Sequence, residues 1–173
     1  MTTHDTFPLM GARAQVLATG DDTADAWEAL ELDLGPGARS PLHTLSADKL
    51  FHVVAGRVAV TVGDEVRDVG VRDAERSGAG PSGEDAERSG AGPSGEDAER
   101  SGAGPSSTVF VPAGVPHRYE NTSGERARML VIVTGRSQVE FLRGMSRLTA
   151  DGRPDPAAVA EHTRAHGVAI LPA

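Results

Sequence analysis

Short apolar segments with a two-residue alternation recur along most of the chain and predict a structure built from β-strands. The clearest example, Trp27–Leu34, carries Leu at alternate positions and ends at Gly-Pro-Gly. Turn residues bound the other segments in the same way, which favours a sandwich or barrel. The predicted strands are Arg13–Ala18, Trp27–Leu34, Leu50–Val54, Arg57–Val62, Glu65–Val71, Thr108–Pro112 and Met129–Thr134.

The pattern changes to a helical period near the C-terminus. Gln138–Leu148 places Phe, Leu, Met and Leu on one helical face, and Asp155 followed by Pro156 is typical of a helix start. Gly167 predicts the end of that second helix, and the apolar Val168–Pro172 is expected to pack back on the body. We expect the helices to cover an open face or edge of the sheets. The predicted organisation is a barrel over residues 1–136 and a helical segment over 137–173 packed on it.

An internal repeat interrupts the barrel region. Asp73–Glu84 reads DAERSGAGPSGE, Asp85–Glu96 is identical, and Asp97–Ser106 repeats the first ten residues. The unit is short and nearly free of apolar side chains, so it cannot form a core of its own. We predict a disordered surface loop over 73–107 without a specific role; the alternative is a lid or a partner-binding loop.

The composition of the chain excludes several classes of function and partner. The chain has 173 residues, which suits one domain, and its formal net charge of −8 argues against nucleic acid as a partner. It has no Cys, which excludes disulfides, thiol nucleophiles and Cys-ligated zinc. The N-terminus lacks the features of a secretory signal, and no apolar run reaches the roughly 20 residues that span a bilayer. We expect a cytoplasmic protein without a membrane partner.

The most informative segment is Phe110–Asn121, where apolar residues run into Pro-x-Gly-x-x-His-x-x-x-Asn. The Pro and Gly predict a tight turn, and His117 then follows on a new strand. Upstream, five residues separate Gly37 from His43, and six separate Lys49 from Gly56. These spacings resemble the two signatures of the cupin family, and the flanking segments are similar to its quercetin-dioxygenase-like group. The resemblance implies an all-β cupin jelly-roll barrel with a short helical C-terminal segment, in a homodimer.

The chain departs from the family pattern at the metal site. Metal-binding cupins use two His and one Glu of the first signature and one His of the second. Leu45 stands at the second His position and Lys49 at the Glu position, so only His43 and His117 remain. Leu cannot ligate and an ammonium repels a cation, so we predict a degenerate site and expect no cofactor. The disfavoured alternative is a divalent Fe, Mn, Ni or Zn ion on His43 and His117.

Two neighbouring residues offer substitute ligands. A one-residue shift of register would turn Asp48 inward, but it would also displace its neighbours on the strand. His52 lies on the opposite face from Lys49 by alternation and is expected to pack between sheets or at a dimer contact. We expect His4, His162 and His166 to be exposed to solvent.

Lys49 at an inward position makes the predicted pocket unusual. Three roles are open: its head reaches the barrel mouth, it holds an anionic ligand, or it is catalytic as a general base or Schiff-base nucleophile. The predicted pocket residues are His43, Leu45, Lys49, Phe51, His117 and Tyr119.

Three hypotheses follow for the function. The first is a small-molecule-binding protein that has lost the metal centre, either a binding protein or a metal-free isomerase- or cyclase-like enzyme. The second is a quercetinase-like, metal-dependent dioxygenase that uses His43 and His117. The third is a structural or regulatory protein whose barrel is filled by side chains.

Overall fold

The computed structural model describes residues 5–71 and 107–172, which form two antiparallel sheets and two helices. The strands in chain order are β1 (Thr6–Leu9), β2 (Ala12–Ala18), β3 (Trp27–Leu34), β4 (His43–Leu45), β5 (Lys49–Ala55), β6 (Arg57–Val62), β7 (Glu65–Gly70), β8 (Thr108–Val111), β9 (His117–Glu120), β10 (Ala127–Thr134) and β11 (Val168–Ile170). The helices are α1 (Gln138–Thr149) and α2 (Pro156–Ala165).

The two sheets have the orders β1-β2-β3-β10-β5-β8 and β11-β4-β9-β6-β7. Consecutive strands often lie in different sheets, so the chain crosses repeatedly between layers, as in a jelly roll. The predicted all-β jelly-roll architecture is confirmed. The repeat falls between β7 and β8, and the loop predicted over 73–107 lies outside the described residues apart from Ser107.

Alternation along the strands produces the core. In β10 the residues Ala127, Met129, Val131 and Val133 are buried, while the residues between them are exposed or half-buried. The same period in β3, β5 and β6 fills the space between the sheets with Leu, Val and Phe. Because each side chain on one face meets the opposite sheet, one core serves both layers.

Three strands were not predicted: β1, β4 and β11. Each has three or four residues, and β4 reads His-Thr-Leu, which gives no period to detect. The strands β4 and β11 are held by pairing with distant segments, since β11 pairs with β4 and β4 pairs with β9. Long-range pairing of this kind leaves no local pattern.

Glu28 is the exception in the β3 core face, because its carboxylate is only 5% exposed. It accepts backbone N–H bonds from Val139 at 2.9 Å and from Ser137 and Gly20 at 3.2 Å. Ser137 is the N-cap of α1 and makes no side-chain cap bond of its own. Glu28 therefore caps α1 from a neighbouring strand, and its negative charge suits the helix N-terminus.

We expect Glu28→Ala to lower the free energy of unfolding by about 2–4 kcal/mol, because it leaves buried N–H groups without an acceptor. Glu28→Gln keeps one acceptor oxygen at the same place, so we expect a smaller loss. Urea unfolding followed by circular dichroism measures both, with Glu31→Ala as a β3 control. Equal stability of Glu28→Ala and wild type would contradict the capping role.

The helices pack on each other through a ring cluster. His162 stacks on Phe141 with centroids 5.5 Å apart, and its Nε2 lies 2.9 Å from the Phe141 carbonyl oxygen. A Cβ at Gly144 would overlap the His162 ring, so the approach requires Gly. His166 joins the cluster through the His162 ring, 4.4 Å away. The expectation that His162 and His166 are simply solvated is wrong, and His4 lies outside the described residues.

The helix boundaries follow the local sequence. The Asp155 side chain accepts from the Ala157 N–H at 3.0 Å, with Pro156 in the first turn, and Gly167 has a φ of +67° directly after the α2 cap. Both signals predicted from the sequence are confirmed. Over residues 5–71 and 107–172, neither helix has the length and apolar character needed to cross a bilayer.

Candidate functional site

The turn before β9 places His117 between the sheets. Gly114 has a φ of +77°, which favours Gly, and its N–H donates to the Leu45 carbonyl at 2.8 Å. The Val115 N–H closes the turn on the Pro112 carbonyl at 3.2 Å. His117 then begins β9 with its side chain turned inward and only 1% exposed.

Strand pairing brings the second imidazole beside the first. His43 of β4 is the cross-strand partner of His117 in β9, and the ring centroids lie 4.2 Å apart at 53°. The single registered pair of these two strands is thus the pair that carries both rings. The spacing of the two signatures is compatible with this arrangement, but only the sheet order creates it.

Lys49 reaches the two rings from the opposite sheet. Its Nζ lies 3.0 Å from Nε2 of His117 and 3.4 Å from Nε2 of His43. The side chain is 4% exposed, so the head stays in the interior and does not extend to the barrel mouth. The Nζ also lies 5.5 Å from the centroid of the Phe51 ring.

The register of β5 excludes a shift that would bring Asp48 inward. Lys49 pairs with Val111 and Val133, and Phe51, like Lys49, points into the interior. The Asp48 carboxylate instead accepts from the Ala113 N–H at 2.8 Å, outside the core. His52 lies on the outer face, where its Nδ1 is 2.7 Å from the Thr108 hydroxyl, and not between the sheets.

Backbone carbonyls determine the tautomer of both rings. Nδ1 of His43 lies 2.8 Å from the Pro41 oxygen, and Nδ1 of His117 lies 2.8 Å from the Val115 oxygen. A carbonyl oxygen only accepts, so Nδ1 carries the proton in both rings. Both Nε2 atoms therefore present lone pairs, and both lone pairs face the Lys49 amine.

Burial dominates the electrostatics of this group. Desolvation lowers the pKa of Lys49 to about 7. Desolvation, reinforced by the neighbouring Lys49 charge, lowers the pKa of His43 to about 3 and that of His117 to about 4. The imidazoles are therefore neutral acceptors at physiological pH, and Lys49 is the group that titrates there.

The side chains present do not fit a divalent cation. A metal between the two Nε2 atoms would meet the Lys49 amine, and Leu45 offers no ligand atom. Within the described segments, no cluster of three or more His, Cys, Asp or Glu side chains could hold a metal. The amine takes the position between the imidazoles that a metal would need.

A narrow cavity adjoins Lys49. Its enclosed volume is about 60 Å³, and about 640 Å³ lies between its lining atoms when the open mouth is included. Residues of both sheets and of α1 form the walls. The lining residues are Leu9, Met10, Leu30, Leu32, Ser40, Pro41, His43, Lys49, Phe51, Tyr119, Val131, Gln138, Phe141, Leu142, Met145, Val168 and Ile170.

Few polar groups face this apolar space. Gln138 is 6% exposed, and its buried Oε1 has no hydrogen-bond partner among the described residues. Burial raises the pKa of Tyr119 to about 12, so its hydroxyl stays protonated. A buried acceptor without a partner is costly, so a donor supplied by a bound molecule or water would satisfy it.

The predicted pocket residues separate into two groups. His43, Lys49, Phe51 and Tyr119 line the cavity, whereas Leu45 and His117 do not. His117 contacts the Lys49 amine, and Leu45 is part of the hydrophobic core. Sequence reasoning missed Gln138, the first residue of α1, because a helix-start Gln carries no sign of which cavity its helix covers.

Comparison with solved structures identifies the fold. The RmlC-like cupin of Shewanella frigidimarina superposes with a TM-score of 0.52 at 14% identity, over 80% of this chain and 89% of that one. The fold is that of the cupins. KdgF from Halomonas sp. gives 0.51 at 14% identity, over 79% of this cupin-fold chain and 91% of its own.

A variant of Bacillus subtilis oxalate decarboxylase also gives a TM-score of 0.51, at 18% identity, over 78% of this chain. The match spans only 28% of the decarboxylase chain. No protein-family model matches the sequence, and no curated protein matches it either. At these identities the likeness concerns the fold, and the activities of these cupins are theirs alone.

Proposed function

We propose that this protein binds a small molecule without a metal, and that the Lys49 ammonium holds an anionic or acceptor group of the ligand. The observation that carries the proposal is the position of Nζ between the two imidazole Nε2 atoms, at the wall of the cavity. A charged Lys49 donates two N–H bonds to the imidazoles and keeps a third N–H. Those two bonds fix the amine in place, which limits the entropy lost when a ligand binds.

The residues that line the cavity indicate the kind of ligand that it binds. Apolar walls from Leu30, Phe51, Val131, Phe141 and Met145 favour a compact hydrocarbon body. Lys49 favours a carboxylate or phenolate on that body. Gln138 Oε1 favours a hydroxyl or N–H donor elsewhere on it. The enclosed space of about 60 Å³ selects small ligands, or ligands that extend into the open mouth.

The two alternative functions require features that differ from those of this site. A quercetinase-like dioxygenase using His43 and His117 needs a metal where the Lys49 amine stands. A barrel filled by side chains needs no polar group in the cavity wall, whereas Gln138 places there a buried acceptor that has no partner in the described part of the chain. The donor chemistry therefore favours the metal-free binding site. The quercetinase-like grouping, the homodimer and the cytoplasmic location remain predictions.

Metal content tests the first part of the proposal. Elemental analysis of protein purified without a His-tag and dialysed is expected to show Fe, Mn, Ni and Zn well below one equivalent, because Lys49 repels a cation between the imidazoles. Lys49→Glu supplies a carboxylate there and is the matched variant expected to gain metal. Near-stoichiometric metal in the wild type, lost in His117→Ala, would contradict the proposal.

Anion binding tests the second part. Thermal-shift titration with benzoate, butyrate and phenol at pH 6 is expected to stabilise the wild type, with carboxylates stronger than phenol. Lys49→Met is expected to lose about 1.5–3 kcal/mol of carboxylate binding, the value typical of a hydrogen bond to a charged group. Arg39→Met removes an exposed cation outside the cavity and should leave the shift unchanged. A carboxylate shift of the same size in Lys49→Met would reject the role.

A further inference from the structure

We propose that Lys49 is also a nucleophile that condenses with a small aldehyde or ketone in the cavity and forms an imine. The inference rests on the proposed function, because it uses the same cavity and the same amine. It extends the ligand class from anions to carbonyl compounds. Three features carry it: the hydrogen bonds of the amine, the absence of a counter-charge in the cavity wall, and the open mouth of the cavity.

The hydrogen bonds orient the lone pair. A neutral amine has two N–H groups, and the two acceptors within reach are Nε2 of His43 and Nε2 of His117. Both rings carry their proton on Nδ1, held by the Pro41 and Val115 carbonyls, so neither can donate to the amine. With both N–H groups bound, the nitrogen lone pair is the position left for the cavity side.

The surroundings favour the neutral amine. No Asp or Glu is among the described residues that line the cavity. Within residues 5–71 and 107–172, the titratable groups beside Lys49 are His43 and His117, which contact its amine, and Tyr119, which lines the same cavity; none of them carries negative charge at neutral pH. A buried ammonium without a counter-charge is unfavourable, so the neutral amine is favoured. The neutral amine is the form in which a Lys acts as a nucleophile.

The reaction balances without a further reagent. The lone pair attacks the carbonyl carbon, a C–N bond forms, and the C=O π electrons move to oxygen. The two amine protons pass to that oxygen, with the neutral imidazole Nε2 atoms as acceptors along the way. Water leaves with the C–O bond and the C=N bond forms, so one carbonyl compound and one amine give one imine and one water. The protonated Tyr119 hydroxyl in the cavity wall supplies a donor for the carbonyl oxygen.

Lys49 is the single Lys of the chain, so label on a Lys side chain can only be on Lys49. The full-length protein is incubated at pH 7 with butanal and sodium cyanoborohydride, which reduces the imine to a stable alkyl amine. Peptide mapping then separates label on Lys49 from label on the N-terminal amine. An ordinary Lys is neutral in only about 0.04% of molecules at pH 7. We expect Lys49 to be labelled at least about tenfold faster in the folded protein than in 8 M urea, because burial increases the fraction of the amine that is neutral.

Each outcome decides the inference. Label on the N-terminal amine alone, or equal rates for Lys49 in folded and unfolded protein, overturns it. Lys49→Arg keeps a cation and is expected to show no internal label. Tyr119→Phe is expected to slow labelling of Lys49 severalfold while benzoate still stabilises the protein, a result that a purely structural Tyr119 would not give.

The same protein separates this inference from the proposed function. Benzoate binding needs the ammonium and weakens as the pH rises through about 7, whereas labelling needs the amine and accelerates over that range. A benzoate shift without Lys49 label overturns the imine and leaves the proposed function in place. Label without any carboxylate shift overturns the anion site alone. Absence of both overturns the two together.

Discussion

Lys49→Met is expected to raise the free energy of unfolding by about 1–4 kcal/mol at pH 6, the range of gains measured when buried ionic groups are replaced by well-packed apolar side chains. The folded-state pKa of about 7 lies below the ordinary value of 10.5. Burial therefore destabilises the fold fully below pH 7, and this cost disappears as the pH rises toward 10.5. Loss of the donor to His43 and His117 offsets part of the gain.

The pH dependence gives the sharper measurement. Wild type is expected to gain stability between pH 6 and 9.5, and Lys49→Met is expected to lack that gain. Urea unfolding at four pH values in this range measures it, with Arg39→Met as the control for removing a cation. The range ends below pH 10 because Tyr119, with its pKa raised to about 12, favours unfolding once the unfolded side chain ionises. Parallel curves for wild type and Lys49→Met would show that Lys49 stays charged in the folded protein.

Asn121→Asp is expected to lower the free energy of unfolding by about 3–5 kcal/mol, the usual cost of an uncompensated buried charge. The Asn121 amide is fully buried, and its nitrogen donates to the carbonyls of Leu34, Gly35 and Glu125 at 2.8–3.1 Å. In Asp, the oxygen that replaces the amide nitrogen faces these three carbonyl acceptors and has no hydrogen to donate. Asn121 therefore joins β3, β9 and the turn before β10, and its place in the motif has a structural reason.

Two further variants separate the effect of the added charge from the effect of losing the amide. Asn121→Ala removes the amide without adding charge, and we expect a loss of about 2–3 kcal/mol from the carbonyls left unpaired. The Asn121 oxygen accepts from the Ser123 N–H and hydroxyl, so Ser123→Ala tests the outer bond alone and should cost less. Thermal and urea unfolding measure all three. If Asn121→Asp lowered the free energy of unfolding no more than Ser123→Ala, the structural role of the Asn121 amide would be contradicted.

Strand periodicity predicted much of the fold. Trp27–Leu34 and Arg57–Val62 agree with β3 and β6 residue for residue, and the strand after the turn begins at His117 as expected. These segments carry enough alternation to decide their own structure. The strand β4 does not, because its three residues depend on β9 and β11 for their hydrogen bonds.

The candidate site likewise has features that strand alternation predicted and features that depend on tertiary packing. Inward alternation predicted that Lys49 and Phe51 share a face, and both are buried. It could not predict where the Lys49 head goes, because the position of Nζ depends on His43 and His117 in the opposite sheet. The contribution of Gln138 depends on where α1 packs, which no motif in the chain encodes.

The sequence by itself determined the alternating strand pattern, the inward position of Lys49, and the presence of Leu and Lys at positions 45 and 49. These depend on residue type and on a two-residue period, which are local properties. Only the tertiary structure decided that the Lys49 amine lies between two imidazole lone pairs beside a cavity that α1 helps to line. That arrangement requires side chains from β4, β5, β9 and α1 to meet, and distances across a core are set by packing and not by sequence spacing.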